Sequence, residues 1–231
     1  MKASSDFTPR SAPTETATGG RLRVTEIFNS IQGESRTVGC PTVFVRLTGC
    51  PLRCGWCDTT YAFTEGEWMG LDDILARVAE YRPRYVTVTG GEPLAQPACR
   101  ELLRRLCDLG YEVSLETSGA LDINGTDPRV SIVMDLKPPG SGEEQRNLYA
   151  NIALLKPKDQ VKFVIGDRAD YEWSRAKMRE HRLDGACEVL FAPVYGKLNP
   201  SDLARWILQD RLPVRLQIQL HKLLWGEARG R

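Results

Sequence analysis

Three cysteines in the stretch RLTGCPLRCGWCDTTYAF have a spacing that could bind a metal centre. Cys50, Cys54 and Cys57 follow the pattern C-x3-C-x2-C. Thiolates prefer zinc, Cu(I) and iron–sulfur clusters among the biological metals. Structural zinc and closed iron–sulfur clusters usually take four protein ligands, so three thiolates leave one position open. An open iron can bind and activate a further molecule.

A fourth protein ligand is hard to find in the sequence. There is no second C-x2-C, and the chain has 2 histidines, His181 and His221. Cys40 lies ten residues before Cys50 and could complete a structural zinc site. Otherwise the cysteines outside the motif are expected to be ordinary small apolar residues, since free cysteine is often buried: Cys40, Cys99, Cys107 and Cys187.

Composition places the chain among ordinary globular proteins. It has 231 residues, a net charge of +1, and 42% hydrophobic and 26% charged residues. The small net charge gives no support to a nucleic-acid partner. No apolar stretch reaches the roughly 18–20 residues that span a bilayer, and the first residues lack the apolar core of a secretory signal. We expect a disordered tail over 1–20, one domain over 21–231, no membrane partner, and a cytoplasmic protein with reduced thiols.

Apolar, β-rich runs alternate with helical patterns along the chain. The runs predict strands at 21–28, 42–49, 85–90, 111–119, 130–137, 160–166, 187–193 and 214–221. Helices are predicted near 71–78, 102–109, 148–155 and 168–182, and after Asn199-Pro200, where Asn caps a helix with Pro at its first position. Such alternation predicts a mainly parallel sheet with right-handed crossovers.

Polar motifs follow the ends of six of these predicted strands. They are the cysteine loop, GGEP, ETSG, DLKPPGSGE, APVYG and HK. In a parallel barrel these ends lie on one face, which carries the chemistry. A doubly wound sheet would bind its ligand mostly at one switch point. The pattern favours an α/β barrel, and the small number of helices indicates that the barrel is incomplete.

The cysteine motif, with the aromatic Trp56 before its third cysteine and TGGEP at 89–93, resembles the radical S-adenosylmethionine (SAM) superfamily. That resemblance implies a modified, incomplete (β/α) barrel with mainly parallel strands. It also implies that three cysteines hold a [4Fe-4S] cluster whose fourth iron is chelated by SAM. Reductive cleavage of SAM would then give a 5′-deoxyadenosyl radical. No catalytic side chain beyond the cluster and SAM is predicted.

Further motifs resemble, within that superfamily, the 7-carboxy-7-deazaguanine synthases. They are FNSIQGES at 28–35, CDTTYAF at 57–63, TGGEP, ETSG, DLKPPGSGE and LHK, spread over 22–225. The resemblance implies a carbon–nitrogen lyase of queuosine and other 7-deazapurine biosynthesis, a pathway that feeds tRNA modification. It would convert 6-carboxy-5,6,7,8-tetrahydropterin to 7-carboxy-7-deazaguanine and ammonia. It also implies Mg²⁺, regenerated SAM, a flavodoxin-like or ferredoxin-like electron donor, and a homodimer.

The same resemblance implies roles for individual residues. Thr59 matches a Mg²⁺ ligand, although the neighbouring Asp58 is chemically the more obvious one. The SAM-binding positions are Gly91, Glu92, Ser118, Asp135, Leu136, Lys137, Ala192 and Pro193. The substrate-binding positions are Ile31, Gln32, Gly33, Glu34, Arg46, Thr89 and His221.

Physical chemistry supports several of these roles and leaves alternatives. Gln32 carries both donors and an acceptor, as the edge of a pterin needs. Arg46 is a lone cation in an apolar strand and suits either the substrate carboxylate or a structural ion pair. Glu92 could accept from the SAM ammonium. His221 could also be an ordinary surface histidine.

The sequence departs from the family pattern at three places. Ser35 stands where we expect Gly, DLKPP replaces a more Ser-Pro-like segment, and the tail KLLWGEARGR is the least family-like part. Two rival functions remain at this point. One is another radical SAM enzyme, such as a glycyl-radical activase. The other is a non-enzymatic iron–sulfur or zinc redox module.

Overall fold

A single nine-stranded sheet organises the protein in the computed structural model, which describes residues 20–231. Its strands are β1 (Arg21–Ile31), β2 (Pro41–Leu47), β3 (Glu67–Gly70), β4 (Tyr85–Gly90), β5 (Glu112–Thr117), β6 (Ser131–Asp135), β7 (Gln160–Ile165), β8 (Glu188–Pro193) and β9 (Arg215–Leu216). The order is β3-β1-β2-β4-β5-β6-β7-β8-β9. Strand β1 pairs antiparallel with β2 and β3, and every other pair is parallel. The predicted incomplete, mainly parallel barrel is confirmed. The tail predicted over 1–20 lies, apart from Gly20, outside the described residues.

The described helices cover the outer face of the sheet, except the last, which lies beside the segment after β1. They are α1 (Leu71–Glu80), α2 (Cys99–Asp108), α3 (Arg168–Glu180), α4 (Leu183–Ala186), α5 (Pro200–Asp210) and α6 (Leu220–Trp225). The predicted cap of α5 is confirmed, because the Asn199 side chain accepts from the Ser201 N–H at 2.9 Å. None of the helices in 20–231 is long and apolar enough to cross a membrane.

Three elements differ from the sequence-based expectation. The helix predicted over 148–155 is a short 3-10 helix, Tyr149–Leu154. Strand β3 was not predicted, because its EWMG sequence leaves Glu67 and Trp68 exposed and has no alternating apolar pattern. The run 214–221 contributes only the two residues of β9, since the Leu220 N–H donates to the Gly33 carbonyl at 3.0 Å and the chain turns into α6.

Successive side chains of a strand point to opposite faces of the sheet, one toward the apolar core and the other toward the inner face. On β4, Val86 and Val88 are fully buried in the apolar core, which also contains the leucines of α2. Thr87 and Thr89 point to the opposite, inner face, as the period of a strand requires. Three of the cysteines outside the motif lie in the core as predicted: Cys99, Cys107 and Cys187. Cys40 is half-buried just before β2.

Candidate active site

A cavity of about 700 Å³ opens at the carboxyl ends of the parallel strands. Its wall includes Lys162 from the middle of β7 and residues at or near the ends of five strands: Thr89, Gly91, Glu116, Ser118, Asp135, Lys137, Val164, Val194 and Tyr195. The cysteine loop after β2 closes one side, and residues 226–231 border another. The motifs that follow the predicted strands therefore meet at one face, as expected for a parallel barrel.

All three cysteines of the motif line this cavity as half-buried free thiols. Their loop is tied to the loop after β6, because the Gly55 N–H donates to the Ser141 carbonyl at 2.9 Å. Burial raises the pKa of the Cys50 and Cys54 thiols, while the ammonium of Lys137 opposes that shift. A nearby cation favours the thiolate form that binds iron.

The geometry of the cysteines fits a cluster better than a single ion. Cys40 precedes the seven-residue strand β2 and Cys50 follows it, so more than about 20 Å of extended chain separates Cys40 from the motif. Cys40 therefore cannot complete a zinc site there. Within residues 20–231, no three Cys, His, Asp or Glu side chains are placed to hold one metal ion. Thiolates on an iron–sulfur cluster bind different iron atoms, so a cluster does not need the three sulfurs to converge on one ion.

Two glycines of GGEP pack directly against the end of β2 and the start of the cysteine loop. A Cβ on Gly91 would lie 2.3 Å from the Gly49 carbonyl oxygen and 2.9 Å from Cys50 Cβ. Gly90 has φ of 155°, and a Cβ there would lie 2.2 Å from the Leu47 carbonyl oxygen. The GGEP backbone can approach these neighbouring backbone atoms so closely only because both positions are glycine.

Glu92 has a different environment from the one predicted. Its carboxylate is fully buried and accepts from the Thr117 hydroxyl at 2.9 Å, the Ser118 N–H at 2.7 Å and the Leu94 N–H at 3.0 Å. It does not line the cavity. The expected contact with the SAM ammonium is therefore not supported, and Glu92 instead joins the ends of β4 and β5.

The other predicted SAM-binding residues fall into two groups, according to whether their side chains face the cavity or the core. Gly91, Ser118, Asp135 and Lys137 line the cavity. The Leu136 side chain is buried in the core, since neighbouring residues of an extended chain point to opposite faces. Ala192 and Pro193 are buried in β8, and the next two residues, Val194 and Tyr195, reach the cavity instead.

The segment after β1 forms the floor of the predicted substrate side. Gln32 donates from Nε2 to the Thr87 hydroxyl at 3.1 Å and accepts from the Glu34 N–H at 3.2 Å. A Cβ on Gly33 would lie 2.1 Å from His221 Nδ1, so only glycine leaves room for this histidine. Burial lowers the pKa of His221, which is therefore neutral near pH 7.

The predicted substrate side chains lie together on the cavity wall: Ile31, Gln32, Glu34, Arg46, Thr89 and His221. Arg46 forms a structural ion pair, one of the two interpretations given for it, and its Nε lies 2.7 Å from Glu26 Oε1. Tyr61 donates to the same Glu26 oxygen at 2.8 Å. The two terminal nitrogens of Arg46 have no hydrogen-bond partner among residues 20–231, which leaves them for an anion in the cavity.

Two oxygen-bearing residues follow the third cysteine. The Thr59 hydroxyl lies 3.8 Å from Cys57 Sγ and borders the cavity. The Asp58 carboxylate lies 3.8 Å from the Lys222 ammonium and accepts weakly from Gln219 at 3.5 Å. Asp58 is already next to the Lys222 ammonium. The neutral Thr59 hydroxyl is therefore the oxygen more readily available to a metal ion. Hard oxygens of this kind suit Mg²⁺, which needs few protein ligands.

Sequence reasoning missed two charged residues of the wall. Glu116 accepts from the Thr89 hydroxyl at 2.9 Å, and burial raises its pKa. Lys162 Nζ lies 2.6 Å from Glu34 Oε2. Burial opposes the ionisation of Glu34, but the ion pair with Lys162 outweighs it and lowers the pKa of Glu34 to about 2. Lys162 is the single charge of β7, the same feature that identified Arg46 in β2, whereas Glu116 shares β5 with Glu112 and does not stand out in this way.

The C-terminal tail, which is the least family-like part of the sequence, also borders the cavity. The Arg229 guanidinium stacks 3.9 Å from the centre of the Tyr61 ring and lies 3.2 Å from a Glu65 oxygen. These contacts hold the tail over the side of the cavity that contains Arg46.

Comparison with known proteins agrees with this fold and shows the family. Residues 44–203 match the model of the Radical SAM superfamily, which defines the class of the protein. A 7-carboxy-7-deazaguanine synthase of Chlorobaculum tepidum is 46% identical over 93% of this chain and 99% of its own. One of Koribacter versatilis is 43% identical over 90% of this chain and 100% of its own. The chain belongs to the 7-carboxy-7-deazaguanine synthase family.

A solved structure supports the fold independently. QueE from Escherichia coli superposes with a TM-score of 0.69 over 87% of this chain and 95% of that chain, at 23% sequence identity. Membership of the superfamily confirms the predictions of a radical SAM enzyme, a [4Fe-4S] cluster on cysteine ligands, and SAM. Membership of the synthase family confirms the prediction of a lyase. The named relatives also support the predicted need for Mg²⁺, and they favour the synthase over both rival functions.

Proposed function

We propose that this protein converts 6-carboxy-5,6,7,8-tetrahydropterin to 7-carboxy-7-deazaguanine and ammonia in 7-deazapurine (queuosine) biosynthesis. The two products contain all the atoms of the substrate, so the reaction consumes no SAM. One observation carries the proposal: a single cavity brings the three cysteines together with Gln32 and Arg46. Relatives with the synthase name, at up to 46% identity, support the same reaction.

Residues on one side of the cavity would hold the cofactors. Cys50, Cys54 and Cys57 would bind the cluster, and Thr59 would bind Mg²⁺. Gly91, Ser118, Asp135 and Lys137 border the space for SAM. When bound, these groups supply hydrogen-atom abstraction and a positive charge beside the substrate carboxylate.

Residues on the other side would bind and orient the substrate. The free terminal nitrogens of Arg46 would hold the substrate carboxylate as a two-pronged donor. Gln32, Glu34 and the neutral His221 offer donors and acceptors to the polar ring edge. Their existing hydrogen bonds and ion pairs fix these side chains in place, which holds the reacting carbon in one position. The tail at Arg229 would exclude water.

The test is an anaerobic assay of the reconstituted, reduced protein with SAM, Mg²⁺ and 6-carboxytetrahydropterin. Mass spectrometry should detect 7-carboxy-7-deazaguanine while the amount of SAM stays nearly constant. Cleavage of SAM without that product would retain the radical chemistry and reject the substrate. No turnover of SAM by a protein with a reducible cluster would reject both.

The proposal includes an external electron donor of the flavodoxin-like or ferredoxin-like type. Reduction of the cluster needs such a protein, and the cysteine loop exposes Pro51, Arg53 and Gly55 on the surface. We place the enzyme in the cytoplasm, where thiols stay reduced, and we expect 21–231 to behave as one domain without a nucleic-acid partner. Omitting the donor from the assay, with no chemical reductant, should abolish turnover.

We also propose a homodimer. Several large apolar side chains are exposed around β9 and α6, and a second copy would cover them: Leu216, Ile218, Leu223, Leu224 and Trp225. Sedimentation equilibrium should give twice the mass of the 25.9 kDa chain. A monomer at micromolar concentration would contradict this part of the proposal.

A further inference from the structure

Four charged side chains alternate in sign along the wall between the two sides of the cavity. Glu34 Oε2 lies 2.6 Å from Lys162 Nζ, which lies 3.7 Å from Asp135 Oδ2. The same Asp135 oxygen lies 3.0 Å from Lys137 Nζ. Each of these side chains is at most 15% exposed. We call this series of four residues the charge row.

The charge row connects segments that are distant in the chain. Glu34 comes from the segment after β1, Asp135 ends β6, and Lys162 lies opposite Asp135 in the register of β6 and β7. Lys162 is the member that contacts both carboxylates. The row therefore joins the predicted substrate side, through Glu34, to the predicted SAM side, through Asp135.

Lys162 compensates the charge of Glu34 and shares the compensation of Asp135 with Lys137. Glu34 has a further donor in Gln219 Nε2, at 2.8 Å. Asp135 Oδ1 is buried and, within the described chain, has no hydrogen-bond partner. A buried carboxylate that loses its cation takes up a proton or moves toward water. Loss of Lys162 would therefore disturb both sides of the cavity at once.

We infer that Lys162 is a positioning residue that fixes Glu34 for the pterin and Asp135 for SAM simultaneously. This inference rests on the proposed function, since it assigns the two sides to those two ligands. A lysine placed between two carboxylates holds each at a defined distance from the other. It adds no contact with the reacting atoms, so its effect must pass through Glu34 and Asp135.

Steady-state kinetics of the reconstituted enzyme test the inference. Lys162→Met should raise the KM for 6-carboxytetrahydropterin by about tenfold, the size of coupling expected between contacting charges. It should raise the KM for SAM by about threefold, because Lys137 stays beside Asp135. Lys177→Met is the matched control, because it removes another lysine ion pair, with Glu180 on α3, away from the cavity. The control should keep both KM values.

Double variants separate positioning from a merely structural ion pair. In a Glu34→Gln background, Lys162→Met should no longer change the pterin KM but should still raise the KM for SAM. In an Asp135→Asn background the pattern should be reversed. Equal effects in every background, or a lowered melting temperature with unchanged KM values, would overturn the inference.

Direct binding keeps this test distinct from failure of the proposed reaction. If the wild-type enzyme makes no 7-carboxy-7-deazaguanine, the proposed function fails. Equilibrium dialysis of SAM with the cluster-loaded protein then decides the SAM side. SAM should bind about threefold more weakly to Lys162→Met than to wild type. In an Asp135→Asn background, Lys162→Met should leave SAM binding unchanged, and the two results together would support the role of Lys162. Unchanged binding would reject it.

Discussion

Charged strand residues that face the cavity have ion-pair or hydrogen-bond partners on neighbouring segments. Arg46 pairs with Glu26, Lys162 pairs with Glu34, and Glu116 accepts from the Thr89 hydroxyl. Burying such charges without partners would be costly, so the compensation is a condition of folding. It also keeps these groups rigid while the terminal nitrogens of Arg46 remain available.

The cysteines of the motif should behave differently from the others. Cys54→Ser should lose most of the bound iron and lower activity by at least about a thousandfold, because the cluster loses one of three thiolates. Cys40→Ala should keep both iron content and activity, since Cys40 lies at the other end of β2. Iron analysis and the absorbance of the reconstituted proteins make the measurement. Loss of iron from Cys40→Ala would instead show that Cys40 is a fourth cysteine ligand.

Ser35 should carry backbone strain. It stands where the family pattern led us to expect glycine, and its φ of 66° lies in the left-handed region. A side chain there costs about 1–2 kcal/mol. Ser35→Gly should therefore be more stable toward urea than Ser35→Ala by about 1 kcal/mol. The alanine variant controls for the hydroxyl, which makes one weak contact, with Thr37 at 3.4 Å. Equal stability of the two variants would show that the backbone is not strained.

The elements were predictable where a local pattern determines them. Apolar runs gave the parallel strands, and the leucine spacing gave α1, α2 and their buried faces. The pattern could not show where the chain leaves the sheet after Leu216, because the partner, Gly33, is distant in sequence. It also could not show which of two adjacent residues faces the cavity, and the structure buries the side chains of Leu136, Ala192 and Pro193 away from the cavity wall.

Glu92 should stabilise the junction of two strands rather than bind a ligand. Its carboxylate accepts from donors on both sides of the junction, at Leu94, Thr117 and Ser118. In Glu92→Gln an amide N–H₂ would face one of these donors, which should lower the free energy of unfolding by about 2 kcal/mol. Urea unfolding measures this. The KM for SAM should stay within about twofold of wild type in the folded variant, and a large rise in KM with unchanged stability would restore the predicted cofactor contact.

At the scale of the whole molecule, the segment after β1 crosses the concave face of the sheet. Gln32 contacts Thr87 on β4, and the Arg36 N–H donates to Gln160 on β7 at 2.9 Å. Glu34 contacts Lys162, which is 128 residues later in the chain. Pairings over such separations leave no periodic pattern in the sequence. The resemblance could therefore place the substrate residues on this segment, but only the fold shows what holds them there.

This bridge should make stability depend on pH in a defined direction. The pKa of Glu34 falls from an ordinary value of 4.5 to about 2 in the folded protein, where burial opposes the ionised form but the Lys162 ion pair prevails. A carboxyl group with a lowered folded pKa stabilises the protein above its unfolded pKa. That stabilisation is lost as pH falls from about 4.5 toward 2.

Comparison of wild type with Glu34→Gln isolates this contribution, since glutamine does not titrate. The difference in unfolding free energy between the two should shrink by about 1 kcal/mol between pH 7 and pH 4, with a steeper loss below. Urea unfolding of the cluster-free chains measures it, because acid releases cluster iron. Glu101→Gln, at an exposed pair with Arg104 on α2, should show a much smaller change. A difference that stays constant with pH would mean that the ion pair does not hold the segment across the sheet.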